Sequence, residues 1–318
     1  MTSRLAFLLL LFTGAACAES PAVCPPADGV AVQVLGSGGP IADDARASTA
    51  YVVWVDGQSR ALIDMGSGSF LRFGEAGADF ATLDFVGLSH FHTDHAADFV
   101  ALLKSGNFSG RERALPVAGP SGTNRFPGLN DFLSANLNRQ TGAYRYLGGY
   151  LDGSGGLARL EPLEVADDAD TSANLLADSE SALAVYAQHV PHGIVPALGF
   201  RVEVDGKSVV FASDQNGSDP EFIEFAKDAS LLVMHMVIPE GANQRAKQLH
   251  AEPSRIGEVA DEAGADQLLL SHFMARSLRD IDGNVGAVKA GYDGRLVLAE
   301  DLGCVSLDSA QDGAKATH

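Results

Sequence analysis

Ser89-His90-Phe91-His92-Thr93-Asp94-His95 holds three imidazoles and a carboxylate within the six residues from His90 to His95. The stretch follows Asp84-Phe85-Val86-Gly87-Leu88-Ser89, which reads as a strand, and runs into Asp94 to Lys104, which reads as a helix with Phe99, Leu102 and Leu103 on one side. Loops at strand ends collect functional side chains, because a rigid sheet positions a mobile tip. His90 and His92 are two apart, so in extended backbone their rings point the same way. Asp94 and His95 come where the helix begins and turn toward the same pocket. A single tetrahedral zinc could not easily take all four groups from so short a loop, whereas two adjacent cations can share them. The plain alternative is a polar surface loop that happens to be rich in histidine.

Working outward, six of the nine histidines lie just past a predicted strand: His90, His92, His95, His192, His235 and His272. His192 follows the strand-like run from Ala182 to Val190, Asp214 follows Val209-Val210-Phe211, and His272 follows Leu268-Leu269-Leu270. Each supplies one neutral imidazole or one carboxylate, the ligand types zinc accepts. His189 has the strand's parity and reads as packing or supporting the site, with a ligand role as its alternative. His235 follows the buried run Leu231 to Met234 and either supports the site or fills the core. Gly36-Ser37-Gly38-Gly39 has no following helix or lysine and reads as a turn, not a phosphate cradle.

The rest of the chain alternates strand and helix signals. Ala31 to Leu35, Ala50 to Val55 and Arg60 to Asp64 read as strands, as do Gly199 to Val204, Ser208 to Ala212 and Gln267 to Ser271. Pro220 to Lys227 and Pro253 to Ala263 read as helices. The Gly-, Asn- and Tyr-rich segment 105–156 reads as irregular, apart from a helix near Leu129 to Leu137, and as a lid or substrate wall. Two strand-rich halves, each with helices, suit the α/β class: an αββα sandwich of two stacked mixed sheets with outer helices. The expected organisation is one domain over residues 19–308, with a flexible tail at 309–318.

The 318 residues are 46% hydrophobic and 20% charged, enough for a sizeable core. The net charge of −19 repels phosphates and anionic lipid, and no basic run offsets it. The expected partner is therefore a small-molecule substrate, with nucleic acid and membrane surfaces disfavoured. A nuclease would need a basic groove assembled only in three dimensions.

Residues 1–18 read as a signal peptide: Arg4 in a positive start, an apolar run from Leu5 to Phe12, and the cleavage site Ala16-Cys17-Ala18. The alternatives are a buried helix and a lipoprotein anchor on Cys17, although Gly14 stands where such anchors usually carry Leu. No other stretch is apolar enough to span a bilayer in the mature chain, so the expected location is periplasmic or secreted. Cleavage leaves Cys24 and Cys304, which an oxidising compartment would join; two free thiols are the alternative.

His90 to His95, His192, Asp214 and His272 together resemble the metal motifs of the metallo-β-lactamase superfamily, and the likeness runs from about Val30 to Leu302. Leu35 to Pro40, Asp64-Met65-Gly66 and Leu269 to Phe273 look most like its ribonuclease Z and arylsulfatase-like branch. The resemblance implies two zinc ions per chain, with iron or manganese as alternatives. It puts His90, His92 and His192 on one ion, Asp94, His95 and His272 on the other, and Asp214 between them. It also implies that Asp64 braces the metal loop and that His250, ahead of the helix at Pro253, is catalytic; the plain alternative is a helix-start residue. Three departures stand out. The family's His-Glu pair is His235-Met236 here, the final motif runs His272-Phe273-Met274-Ala275-Arg276-Ser277 without its aromatic residue, and no basic tRNA-gripping arm is visible.

The implied chemistry is hydrolysis of an ester-type bond by water whose pKa two cations lower from 15.7 to roughly 7. Asp94 would orient that water, and His250 would donate a proton or a hydrogen bond to the leaving group. Acidity and export point to a small ester, such as an aryl sulfate, phosphodiester or lactone. The alternatives are a ribonuclease Z-like nuclease and a non-catalytic binding protein that keeps its metals for structure.

Overall fold

Strand Ala50–Val55 shows how one sheet serves two cores. Tyr51 and Val53 point to one side and Val52 and Trp54 to the other, and all four are buried. Alternation on a sheet covered on both faces therefore reads as a continuous apolar run. The computed structural model describes residues 24–166, 173–177 and 183–308. The segment read as a signal peptide, with Cys17, and the tail at 309–318 lie outside the described residues.

In chain order the strands are β1 (Val30–Gly36), β2 (Ala50–Val55), β3 (Gln58–Ile63), β4 (Phe85–Gly87), β5 (Leu115–Pro120), β6 (Leu160–Val165) and β7 (Ala173–Ala177). They continue with β8 (Ala184–His189), β9 (Leu198–Val204), β10 (Lys207–Phe211), β11 (Leu231–His235), β12 (Gln267–Ser271), β13 (Arg295–Leu298) and β14 (Cys304–Ser306). They form two seven-stranded sheets, ordered β14-β1-β2-β3-β4-β5-β6 and β13-β12-β11-β10-β9-β8-β7. Both are mixed: β3 to β6 run parallel in the first, β10 to β13 in the second, and the other pairings are antiparallel.

The main core lies between the sheets. It joins Val32, Tyr51 and Phe85 to Phe200, Val210 and Leu269 and extends to Ile256 and Val259 of the outer helix Pro253–Glu262. A second core fills the outer face of the first sheet beneath Phe73, Phe99, Leu103 and Leu133. Helices on both outer faces complete the αββα sandwich read from the sequence.

Several elements differ from the sequence reading. Asp94 to Lys104 forms two helices, Thr93–Ala96 and Phe99–Gly106. The break arises because Met65 enters the ladder: its N–H donates to the His95 carbonyl at 2.7 Å and its own carbonyl accepts from Asp98 N–H at 2.9 Å. The segment 105–156 is not uniformly irregular, since it contains β5. Proline weakens a strand reading because it cannot donate to a ladder. Here Pro116 and Pro120 flank Val117 and Ala118, the two residues in register with β4. Helix Ile281–Gly291 also escaped the reading, because Gly283, Gly286 and Gly291 dilute its helical signal. It packs on helix Pro253–Glu262, where Gly257 is required: a Cβ there would stand 2.2 Å from the Val288 carbonyl oxygen.

Candidate metal centre

The strands deliver their ends to one place. Asp64 follows β3, His90 follows β4, Asp214 follows β10, His235 closes β11 and His272 follows β12. Carboxyl ends of parallel strands are where α/β sheets build their sites. His192 joins them from the turn after β8, where it bridges to Val195. Three of these turns use left-handed backbone on a residue with a side chain: Asp64 at φ 59°, Ser213 at 58° and His272 at 55°. Such conformations persist where surrounding structure over-determines them, and they cluster at functional sites. Gly66 lets the Asp64 turn press on the metal loop, since a Cβ at Gly66 would lie 2.1 Å from the Asp94 carbonyl oxygen.

The predicted ligands come together in two groups. Donor atoms of His90, His92, His192 and Asp214 lie within 4.8 Å of one another, and so do those of Asp94, His95 and His272. The Asp214 carboxylate stands between the groups, Oδ2 at 3.7 Å from both His192 Nε2 and His95 Nε2, and Oδ1 at 3.4 Å from His272 Nε2. Imidazole nitrogens face each other at 2.9 Å (His90 Nε2 and His92 Nδ1) and 3.2 Å (His95 Nε2 and His272 Nε2). Facing imidazoles around two carboxylates form a donor set that fits two divalent cations and suits a zinc, iron or manganese pair.

Hydrogen bonds to the far side of most rings fix which nitrogen is offered. Asp64 Oδ2 takes His95 Nδ1–H at 2.8 Å and the Ser89 hydroxyl at 2.8 Å, while Oδ1 takes Ser89 N–H at 2.7 Å. Asp64 thus holds the Ser89–His95 loop directly. His192 Nδ1 donates to the Leu249 carbonyl at 3.1 Å, and His90 Nδ1 meets the Ser89 hydroxyl at 3.1 Å. His235 supports the site: Nδ1 donates to Asp214 Oδ1 at 2.8 Å and Nε2 meets the Tyr51 hydroxyl at 3.2 Å. His189 pairs with the Ala166 carbonyl at 2.9 Å and faces a neighbouring cavity, joining neither donor group.

Burial disfavours charge throughout the cluster, and the carboxylates oppose it. Burial, reinforced by His95, holds His90 well below the ordinary histidine value. Burial and the neighbouring His192 lower His92. Burial would neutralise Asp94, yet the His272 contact and nearby imidazoles outweigh it and bring its pKa to about 2. Asp214 is likewise held well below the carboxylate range by His272, His250 and His235, against burial. His95 moves the other way, because Asp64 and Asp214 overcome its desolvation. Burial pushes His235 and His250 down to about 4.

The centre opens into a cavity of about 620 Å³. Phe91, Val195, Leu249 and Met274 form apolar walls, and His250 and Arg276 also line it. His250 Nδ1 is buried without a hydrogen-bond partner, 3.9 Å from Asp214 Oδ2. Sequence reasoning assigned no role to Ser89, Tyr51 or Arg276. Ser89 could have been suspected from its place directly before His90, and Arg276 from the motif that begins at His272. Tyr51 carried no signal, because it looks like any other core position of β2. From the segment 105–156, Phe132 stacks on Phe91 with centroids 4.7 Å apart and planes 14° apart, so this segment backs one cavity wall.

Comparison with known proteins agrees with this geometry. Residues 60–273 match the family model described as a beta-lactamase superfamily domain. A ribonuclease Z of Mycobacterium marinum is 30% identical over 285 residues, covering 86% of this chain and 97% of that protein. Among solved structures, the metallo-β-lactamase fold protein YhfI from Bacillus subtilis aligns with a TM-score of 0.66 at 21% identity, over 88% of this chain and all of that one. Human tRNase Z, short form, gives 0.67 at 21% identity, over 87% and 99%.

These relatives correct one expectation. Nucleic acid was disfavoured as a partner in favour of a small molecule, whereas the full-length relative is a ribonuclease and a structural neighbour is a tRNase. The reasoning failed because net charge sums the whole surface, while a phosphodiester meets only the local field of the site. The activity is that of a metal-dependent hydrolase acting on ester-type bonds. The chain belongs to the metallo-β-lactamase superfamily, among the relatives of ribonuclease Z.

Proposed function

We propose that the chain is a ribonuclease Z-like phosphodiesterase that cleaves nucleic acid at a dinuclear metal centre. The observation that carries this reading is the pair of donor groups meeting at Asp214 beside an open cavity. Its support is likeness to a ribonuclease Z over 97% of that protein's length. We assign His90, His92 and His192 to one cation, Asp94, His95 and His272 to the other, and Asp214 to both. Zinc suits this donor set, and iron and manganese accept the same ligands.

When bound, a pair of divalent cations supplies a nucleophile at neutral pH and offsets charge developing on the phosphoryl oxygens. The chain's own residues do the rest. Asp94 accepts the hydrogen bond that orients the attacking water. Arg276 spends Nε–H on the Val237 carbonyl at 2.9 Å, which leaves its other N–H groups for phosphate oxygens. His250 lines the cavity beside Asp214, where it can donate a hydrogen bond to the leaving oxygen. Phe91, backed by Phe132, offers a flat apolar wall on which a base can stack.

The test is cleavage by zinc-loaded protein of a single-stranded RNA and of a transfer RNA with a 3′ extension. Cleavage that stops on chelation and is lost in Asp214→Ala is expected. Hydrolysis of bis(p-nitrophenyl) phosphate with neither RNA cut would overturn the nucleic-acid assignment.

A further inference from the structure

Three predicted ligands have their rings fixed by a bond at the far nitrogen: His90 by Ser89, His95 by Asp64 and His192 by the Leu249 carbonyl. His272 differs. Its Nδ1 is buried without a hydrogen-bond partner, and its backbone sits in the left-handed region at φ 55°. Something other than a hydrogen bond must therefore hold this imidazole toward Asp94, whose Oδ2 lies 3.2 Å from its Nε2.

The loop after β1 occupies the far side of the ring. A Cβ at Gly39 would lie 2.8 Å from His272 Cε1 and 2.9 Å from Nδ1, so the glycine backbone packs on the imidazole where no side chain fits. The loop is stitched to the ligand's own segment: Phe273 N–H donates to the Ser37 carbonyl at 2.8 Å and Gly39 N–H to the Phe273 carbonyl at 3.1 Å.

One carboxylate, distant in sequence and outside the metal cluster, pins that loop. Asp301 Oδ1 accepts from Ser37 N–H at 3.1 Å and from the Ser37 hydroxyl at 2.8 Å. Its Oδ2 accepts from Ala47 N–H at 2.8 Å and Arg72 Nε–H at 3.3 Å. Arg46 closes the assembly, donating to the Ser37 hydroxyl at 2.6 Å and the Ala299 carbonyl at 3.0 Å while lying over the Phe273 ring.

We propose that Asp301 is a positioning residue for the metal centre, fixing the Ser37–Gly39 loop as a splint that aims His272 in place of a hydrogen-bond partner. This rests on the assignment of His272 as a ligand. The usual support for a ligating histidine is a carboxylate or carbonyl bonded to its free nitrogen, and losing it typically weakens metal binding 10–100-fold. Here the carboxylate acts one step removed, through backbone packing.

The experiment is titration of cobalt(II) into metal-free wild type, Asp301→Ala and His272→Ala, read by the cobalt d–d absorption, with thermal melting of each metal-free protein alongside. Asp301→Ala should bind one cobalt as wild type does and the second about 10–100-fold more weakly, with an altered band, and His272→Ala should lose that same site. Where Asp301→Ala does not fold, Ser37→Ala, which removes only the hydroxyl shared by Asp301 and Arg46, is read the same way. Two sites with wild-type affinities and spectrum would overturn the splint, whatever happens to melting. A wild type that binds one cobalt, or a His272→Ala that keeps both, would overturn the ligand assignment itself and the splint with it.

Discussion

At the scale of single residues, His250 separates a chemical role from a structural one most clearly. It lines the cavity with Nδ1 buried, and its backbone N–H donates to the Ala246 carbonyl at 3.0 Å, so it also belongs to the turn before helix Pro253–Glu262. A residue that only completes this turn would, on change to alanine, cost stability and spare turnover. A group that meets the leaving oxygen matters most when that oxygen is a poor leaving group. His250→Ala should therefore keep the wild-type metal content while kcat on RNA, whose leaving group is an alkoxide, falls roughly 10²–10⁴-fold. Turnover of bis(p-nitrophenyl) phosphate should fall far less, because a nitrophenolate needs little protonation. Equal small losses on both substrates would remove His250 from the mechanism.

At the scale of elements, legibility followed the strength of local signals. Helix Leu129–Leu137 and strands Ala50–Val55 and Gln267–Ser271 have the bounds the sequence suggested, because apolar period and punctuation agree there. Strand β5 was missed because its prolines speak against a strand, and only its neighbours show that they flank the paired residues. The convergence of the candidate ligands was legible as well, since short spacing and strand ends put them together. Their supports were legible only in part: Asp64 and His235 stand at strand ends beside the candidate ligands, whereas Tyr51 and Asp301 acquire meaning only through contacts distant in sequence.

The terminal strand is the opposite case, since the pairing of Cys24 with Cys304 was expected from the sequence. β14 pairs with β1, and the disulfide joins Cys24 to Cys304 across 280 residues with Cα atoms 5.7 Å apart. The chain-entropy model assigns so long a loop roughly 5 kcal/mol, and measured values for native disulfides run about 2–5 kcal/mol. Reduction under non-denaturing conditions should lower the denaturant midpoint by a corresponding amount. An unchanged midpoint would show that the bridge does not constrain folding.

At the scale of the whole molecule, two facts looked opposed: a chain of charge −19 and relatives that are ribonucleases. They are reconciled by where the charge sits. In the donor cluster Asp94 and Asp214 stay ionised beside His90 and His92, which burial holds in the neutral form, and these groups recruit cations. Bound cations, together with Arg276 in the cavity lining, would give the site a positive local field within an acidic molecule.

A dinuclear centre therefore requires a definite number of metal ions in the folded chain. The direct measurement is elemental analysis of zinc-reconstituted, desalted protein, for wild type, His192→Ala and His189→Ala. Two ions per chain are expected in wild type and in His189→Ala, whose ring lies in the neighbouring cavity, and close to one in His192→Ala. A wild-type value that stays near one, or a His192→Ala protein that keeps both ions, would contradict the dinuclear centre.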